Sequence, residues 1–144
     1  MKDKHFETMA IHAGGEGGKP DNALNDPIFM TSAFTFDSIE TANAAFAFET
    51  KDYVYTRGNN PTLRVLEERM AVLEGGSDAV AFASGMAAIS SVLLSLLKPG
   101  DEIIAHRMLY GSSQDFIKNT LPQYGISSRL LNLVDLSVLK GEIS

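Results

Sequence analysis

Cysteine is absent from the chain, which excludes disulfide staples, thiolate zinc sites and a cysteine nucleophile. No run of eighteen or more apolar residues exists, so no membrane-spanning helix can be drawn. The longest apolar stretch, Ile89 to Leu97, is broken by Ser90, Ser91 and Ser95. The first residues, Met1-Lys2-Asp3-Lys4-His5, lack the apolar core of a signal peptide. Positive charge is scarce. Twelve Lys and Arg against eighteen Asp and Glu give a net charge of −6 and a pI near 4.9, which argues against nucleic acid as a partner. The three histidines, His5, His12 and His106, show no metal-ligand spacing, and no metal site is expected. Neither a G-x-x-x-x-G-K-[ST] loop nor a dinucleotide fingerprint is present, because the glycines at 14–18 precede no strand-to-helix transition. No G-x-S-x-G elbow surrounds Ser84, Ser112 or Ser113. These absences leave a soluble, cytoplasmic protein as the expectation.

What is present fits one domain of ordinary size: 144 residues, 44% hydrophobic and 21% charged. Gly14, Gly15, Gly17, Gly18 and Pro20 mark a loop. Asp37 or Ser38 caps a helix expected to reach Thr50. Asn60 caps a second, with Pro61 at its first position and Gly75-Gly76 as its stop. Leu63, Leu66, Met70 and Leu73 make its apolar stripe, and Glu67, Glu68 and Arg69 are expected on the wet side. From Asp78 onward the pattern alternates. Strands are expected at 79–83, 102–106 and 127–133; helices follow at 87–97, from a Ser112 or Ser113 cap to about Leu121, and from Asp135. That rhythm implies a parallel α/β sheet.

In such a sheet ligands bind where strands lead into helix N-termini. At Ser84-Gly85-Met86, Gly85 permits close approach, and helix-opening N–H groups can hold a phosphate without lysine. Small residues that merely allow tight helix-on-sheet packing are the alternative. Tyr55 and Arg57 lie in the polar and aromatic loop 51–60 and can both reach one anionic group. Taken in isolation, the pair reads rather as a solvated arginine beside a packed tyrosine. Tyr110, at the end of the second strand, can stack on a planar ligand, move a proton or simply cap the core. His106, at the same strand end, reads as a structural hydrogen-bonder.

Several segments together resemble one family. Residues 53–62 (YVYTRGNNPT) are similar to the Y-x-R…N-P-T signature of the Cys/Met-metabolism enzymes that use pyridoxal 5′-phosphate (PLP). Residues 66–76 (LEERMAVLEGG) resemble the helix after it, 83–88 (ASGMAA) its phosphate-binding turn, and 109–111 (LYG) its cofactor-stacking tyrosine. Residues 8–14, 27–32 and 121–125 extend the resemblance over nearly the whole chain in the family's order.

The resemblance implies the first part of a fold-type I (aspartate aminotransferase-like) α/β/α domain over 59–144, preceded over 1–58 by an arm that clasps a partner subunit. It implies that Tyr55 and Arg57 hold the phosphate of a neighbour's PLP, that Ser84, Gly85 and Met86 hold their own, and that Tyr110 stacks on the ring and acts as acid or base. Ser112 stands where some γ-lyases carry cysteine and synthases often carry glycine, and so lies near the substrate. The signature here reads Arg-Gly-Asn-Asn-Pro rather than the commoner Arg-x-Gly-Asn-Pro, a local change in the loop. The implied function is C–S γ-lyase chemistry on methionine or cystathionine. The alternative is γ-replacement of the O-acetylhomoserine sulfhydrylase or cystathionine γ-synthase type. A homo-oligomer, a dimer of dimers, acting on a small amino acid is implied as well. No lysine, Lys140 included, lies in the context of the family's Schiff-base lysine, and the chain stops at Ser144 within an expected element. A truncated, catalytically inactive piece that only self-associates is therefore the alternative of another class.

Overall fold

A computed structural model describes residues 5–14 and 23–143; the glycine-rich loop expected at Gly15, Gly17, Gly18 and Pro20 lies outside the described residues. The chain divides into two compact units, Met1–Ala81 and Phe82–Ser144.

In the first unit, α1 spans Phe6–His12, α2 Ile39–Phe46 and α3 Pro61–Glu74. Ser38 caps α2, its Oγ accepting the Thr41 N–H at 3.2 Å. This helix stops four residues short of Thr50, because Phe48 turns left-handed at φ +58°. The Phe48 N–H then donates to the Ala45 carbonyl (3.1 Å) and the Glu49 N–H to that of Ala44 (3.0 Å), a complete Schellman closure. Asn60 and Pro61 open α3 as expected, and Gly75 (φ +67°) closes it.

The faces of α3 are largely reversed from expectation, with only Leu73 of the apolar stripe half-buried. Leu63, Leu66 and Met70 are exposed, whereas Arg64, Glu67, Glu68 and Arg69 are half-buried. Long basic side chains explain the reversal. The Arg69 guanidinium donates to the Ala13 carbonyl (2.7 Å) and to Asp26 (2.9 Å), which holds the polar face against the segment after α1. Arg64 similarly spans Glu68 (3.0 Å) and Asp78 (2.9 Å). Gly14 (φ +83°) approaches α3 so closely that a Cβ there would meet the Val65 carbonyl oxygen at 2.6 Å.

The second unit follows the alternating pattern. It comprises α4 (Gly85–Leu96), β1 (Glu102–His106), α5 (Gly111–Asp115), β2 (Ser127–Leu131) and α6 (Leu136–Glu142). The two strands are parallel, in register from Glu102 opposite Ser127 to His106 opposite Leu131. Asp135 caps α6 through the Ser137 N–H (2.9 Å). Ile117, Leu121 and Ile126 form the core, with Leu93, Ile103 and Leu130 packed against them.

Three local expectations fail. Neither Ser112 nor Ser113 caps α5. The cap position is Tyr110, and Ser113 is buried inside the first turns. Pro122 does not end this segment, because a π turn (Phe116–Thr120) and a 3₁₀ turn (Leu121–Tyr124) carry it on to Gly125. Residues 79–83 form no strand, since among the described residues no neighbour offers a ladder. Carboxylates take two of their N–H groups instead: Asp78 that of Ala79 and Glu67 that of Ala81, both at 2.9 Å.

Candidate functional site

Helix α4 begins with backbone donors that lack acceptors. A helix leaves its first four N–H groups unpaired. Ser84 settles one of them, its Oγ accepting from Ala87 at 3.1 Å, while its carbonyl accepts the first bond within the helix, from Ala88 at 3.1 Å. The N–H groups of Gly85 and Met86 have no acceptor among the described residues. Nothing lies within 4 Å of where a Gly85 Cβ would stand, so the helix start is open on the side of Gly85. The helix dipole adds partial positive charge there. The donors, the dipole and the open side together fit a phosphate.

The Met86 side chain reaches α5. Its sulfur accepts the Ser113 hydroxyl at 3.5 Å, which ties the first turn of α4 to the first turn of α5. Ahead of α5, the loop after β1 is pinned by Gln114, whose amide donates to the Arg107 carbonyl at 2.8 Å. That bond leaves Tyr110 at the helix start with 73% of its surface exposed, and Ser112 exposed beside it. His106 Nδ1 accepts the Leu133 N–H (2.9 Å), so its proton sits on Nε2. This is the structural hydrogen bond expected of it. Gln114 carries no sequence signal, because its partner is a loop carbonyl that only the folded turn supplies. An apolar cavity of about 470 Å³ between α4, β1 and α5 offers no charged group.

Tyr55 and Arg57 come together in the first unit. The guanidinium carbon sits 5.1 Å from the Tyr55 ring centroid, a cation–π contact, and no carboxylate pairs with Arg57 among the described residues. Both side chains are exposed and line a cavity of about 280 Å³ with Phe46, Phe48 and Asn59. The altered Arg-Gly-Asn-Asn-Pro run makes a tight turn here, the Tyr55 carbonyl accepting from Gly58 (2.9 Å) and Asn59 (3.2 Å). Behind it Tyr53 lies against Phe34, and burial, aided by Glu68, pushes its phenol pKa up.

Asn60, 4% exposed, holds the loop in place. Its amide donates to the Phe29 carbonyl (3.2 Å) and the Thr56 hydroxyl (2.9 Å), while its oxygen accepts from Thr62 (2.8 Å). Thr56 in turn donates to the Thr31 carbonyl, and an Ala33–Tyr55 bridge completes the link. The sequence identifies Asn60 as a helix cap; its cross-links depend on contacts thirty residues away.

A family model described as Cys/Met metabolism PLP-dependent enzyme matches residues 7–144. The chain is 42% identical to an L-methionine gamma-lyase of Pseudomonas deceptionensis over 147 aligned positions, covering 99% of this chain and 37% of that protein. It is 46% identical to an O-acetyl-L-homoserine sulfhydrylase of Corynebacterium glutamicum, covering 84% of this chain and 28% of that one. A solved Campylobacter jejuni protein described as an O-acetylhomoserine (thiol)-lyase, holding N′-pyridoxyl-lysine-5′-monophosphate, superposes with a TM-score of 0.88 at 33% identity, covering 99% of this chain and 34% of that one. The chain thus spans about a third of the length of the relatives it matches. Its α/β organisation is that of the fold-type I PLP enzymes, and the chain belongs to the Cys/Met metabolism PLP-dependent enzyme family.

Proposed function

We propose that these residues supply part of the active site of a PLP-dependent C–S γ-lyase that eliminates the γ-substituent of methionine or cystathionine. The observation that carries this reading is the pair of unpartnered N–H groups at Gly85 and Met86, at a helix start that is open on the side of Gly85. PLP, when bound, supplies the electron sink for deprotonation at carbon. Gly85 and Met86 donate to its phosphate, and the Ser84 cap keeps their N–H groups aligned. Arg57, steadied by the Tyr55 ring, adds a full positive charge to a phosphate. Tyr110 presents a solvent-facing phenol that stacks on a planar ring and moves a proton.

Residues 1–58 act as a subunit-clasping arm and 59–144 as the first part of the cofactor domain. If Tyr55 and Arg57 serve a neighbour's cofactor, the working unit is at least a dimer, and a cytoplasmic dimer of dimers is the assembly we favour. The sulfhydrylase relative at 46% identity supports a second reading, γ-replacement on O-acetylhomoserine, and Ser112 is compatible with either. The Schiff-base lysine is placed outside these 144 residues, which leaves the chain alone inactive.

The test supplies PLP with L-methionine or with O-acetylhomoserine and sulfide, first to this chain and then to a chain extended by a relative's remaining two-thirds. The extended protein should release 2-oxobutyrate and methanethiol from methionine. Homocysteine as the faster product selects replacement, and turnover by the 144 residues alone contradicts the placement of the lysine.

A further inference from the structure

Phe48 occupies a backbone slot suited to glycine. It sits at the C′ position of α2, φ +58°, and makes the Schellman bond to Ala45 there. A bulky side chain at positive φ is an outlier, and such strain concentrates at functional sites. Packing does not explain it, because the ring is 92% exposed. The ring borders the 280 Å³ cavity that also presents Tyr55 and Arg57. One wall of that cavity is therefore aromatic and apolar, from Phe46 and Phe48, and another is the Arg57 guanidinium, which pairs with no carboxylate among the described residues; the Asp52 carboxylate on the same lining accepts the Thr50 hydroxyl at 2.8 Å instead. Such a pair of walls fits an anion that carries a flat apolar body.

We propose that Phe48 is a ligand-contacting residue of this cavity, packing on the ring of a phosphorylated aromatic ligand whose phosphate Arg57 holds. The proposal rests on the reading of Arg57 as a phosphate ligand. Pyridoxine 5′-phosphate, which lacks the aldehyde and so cannot react with lysines, and inorganic phosphate are the two probes. Each is titrated by NMR into wild type, Phe48→Gly and Arg57→Ala, with affinity read locally at the Arg57 Nε–H or, in Arg57→Ala, at the Phe48 ring. Thermal melting is recorded alongside.

Phe48→Gly should melt a few degrees higher, bind pyridoxine 5′-phosphate about five- to tenfold more weakly and bind inorganic phosphate unchanged. Arg57→Ala should weaken both probes. Unchanged pyridoxine 5′-phosphate affinity in Phe48→Gly overturns the proposal, and so does an equal loss of both probes. Full binding of both by Arg57→Ala overturns the phosphate reading instead, whatever Phe48→Gly does. A wild type that binds neither probe at this cavity overturns both.

Discussion

Asn60 concentrates three hydrogen bonds on one buried amide, and each partner belongs to a different stretch of chain. Replacing it with alanine leaves the Phe29 carbonyl and Thr62 N–H without their partner, so Asn60→Ala should cost about 2 kcal/mol in urea unfolding. A loss under 0.5 kcal/mol would contradict its role. Gly85 makes the opposite case. A methyl group there meets no protein atom, and alanine suits a helix better. Gly85→Ala should therefore keep or slightly raise stability while weakening phosphate binding, because the methyl stands on the open side of the helix start. At this scale the sequence is informative wherever chemistry is local. Ser84, Asn60 and Asp135 cap their helices as their residue types predict. It is silent on Gln114 and on the cross-links of Asn60, whose partners are fixed only by tertiary approach.

Helix α3 shows what periodicity does and does not carry. Its ends were readable from Asn60-Pro61 and Gly75, and its stripe of leucines was real, but spacing cannot say which face the rest of the chain covers. Arg64 and Arg69 decide that, drawing the polar face inward through Asp78, Asp26 and the Ala13 carbonyl. Arg64→Ala should cost about 0.5–1 kcal/mol, the scale of part-exposed ion pairs, by urea midpoint at low salt, and the loss should shrink as salt is added. The run 79–83 forms no strand for a related reason. An apolar run becomes a strand only beside a partner, and Asp78 and Glu67 satisfy its N–H groups here.

Acid should weaken several of these local anchors. The Ala79 N–H, and then Arg64, hold the Asp78 carboxyl below its usual range; the Ser137 N–H does the same for Asp135. A folded-state pKa below the unfolded one stabilises the fold above the unfolded value of 3.8 and is lost as pH falls through the lowered one. The urea midpoint should be level near neutrality and fall below about pH 4, less steeply in Asp78→Asn with Asp135→Asn. A midpoint that rises with acid contradicts this assignment.

The whole chain leaves much apolar surface uncovered. Leu63, Leu66 and Met70 of α3, together with Val80 and Phe82, are exposed, and its two-stranded parallel sheet is of a kind ordinarily covered on both faces. Relatives about three times as long share this fold over the same span. Sedimentation of the chain alone should give a mass above the 15.6 kDa monomer, with bound hydrophobic dye released on association. A strictly monomeric chain at high concentration would contradict that. Family and cofactor class were legible because the motifs are short and lie in order. Substrate choice was not, since Ser112 alone does not determine it.

The account stands or falls on the α4 N-terminus as a phosphate site. The direct measurement is an amide nitrogen–proton NMR titration with pyridoxine 5′-phosphate, following Gly85 and Met86. Their two signals should move saturably and together, and Gly85→Val should abolish the movement while the Ala87 signal, held by Ser84, stays nearly fixed. Signals at Gly85 and Met86 that do not move, or that move equally in Gly85→Val, would contradict it.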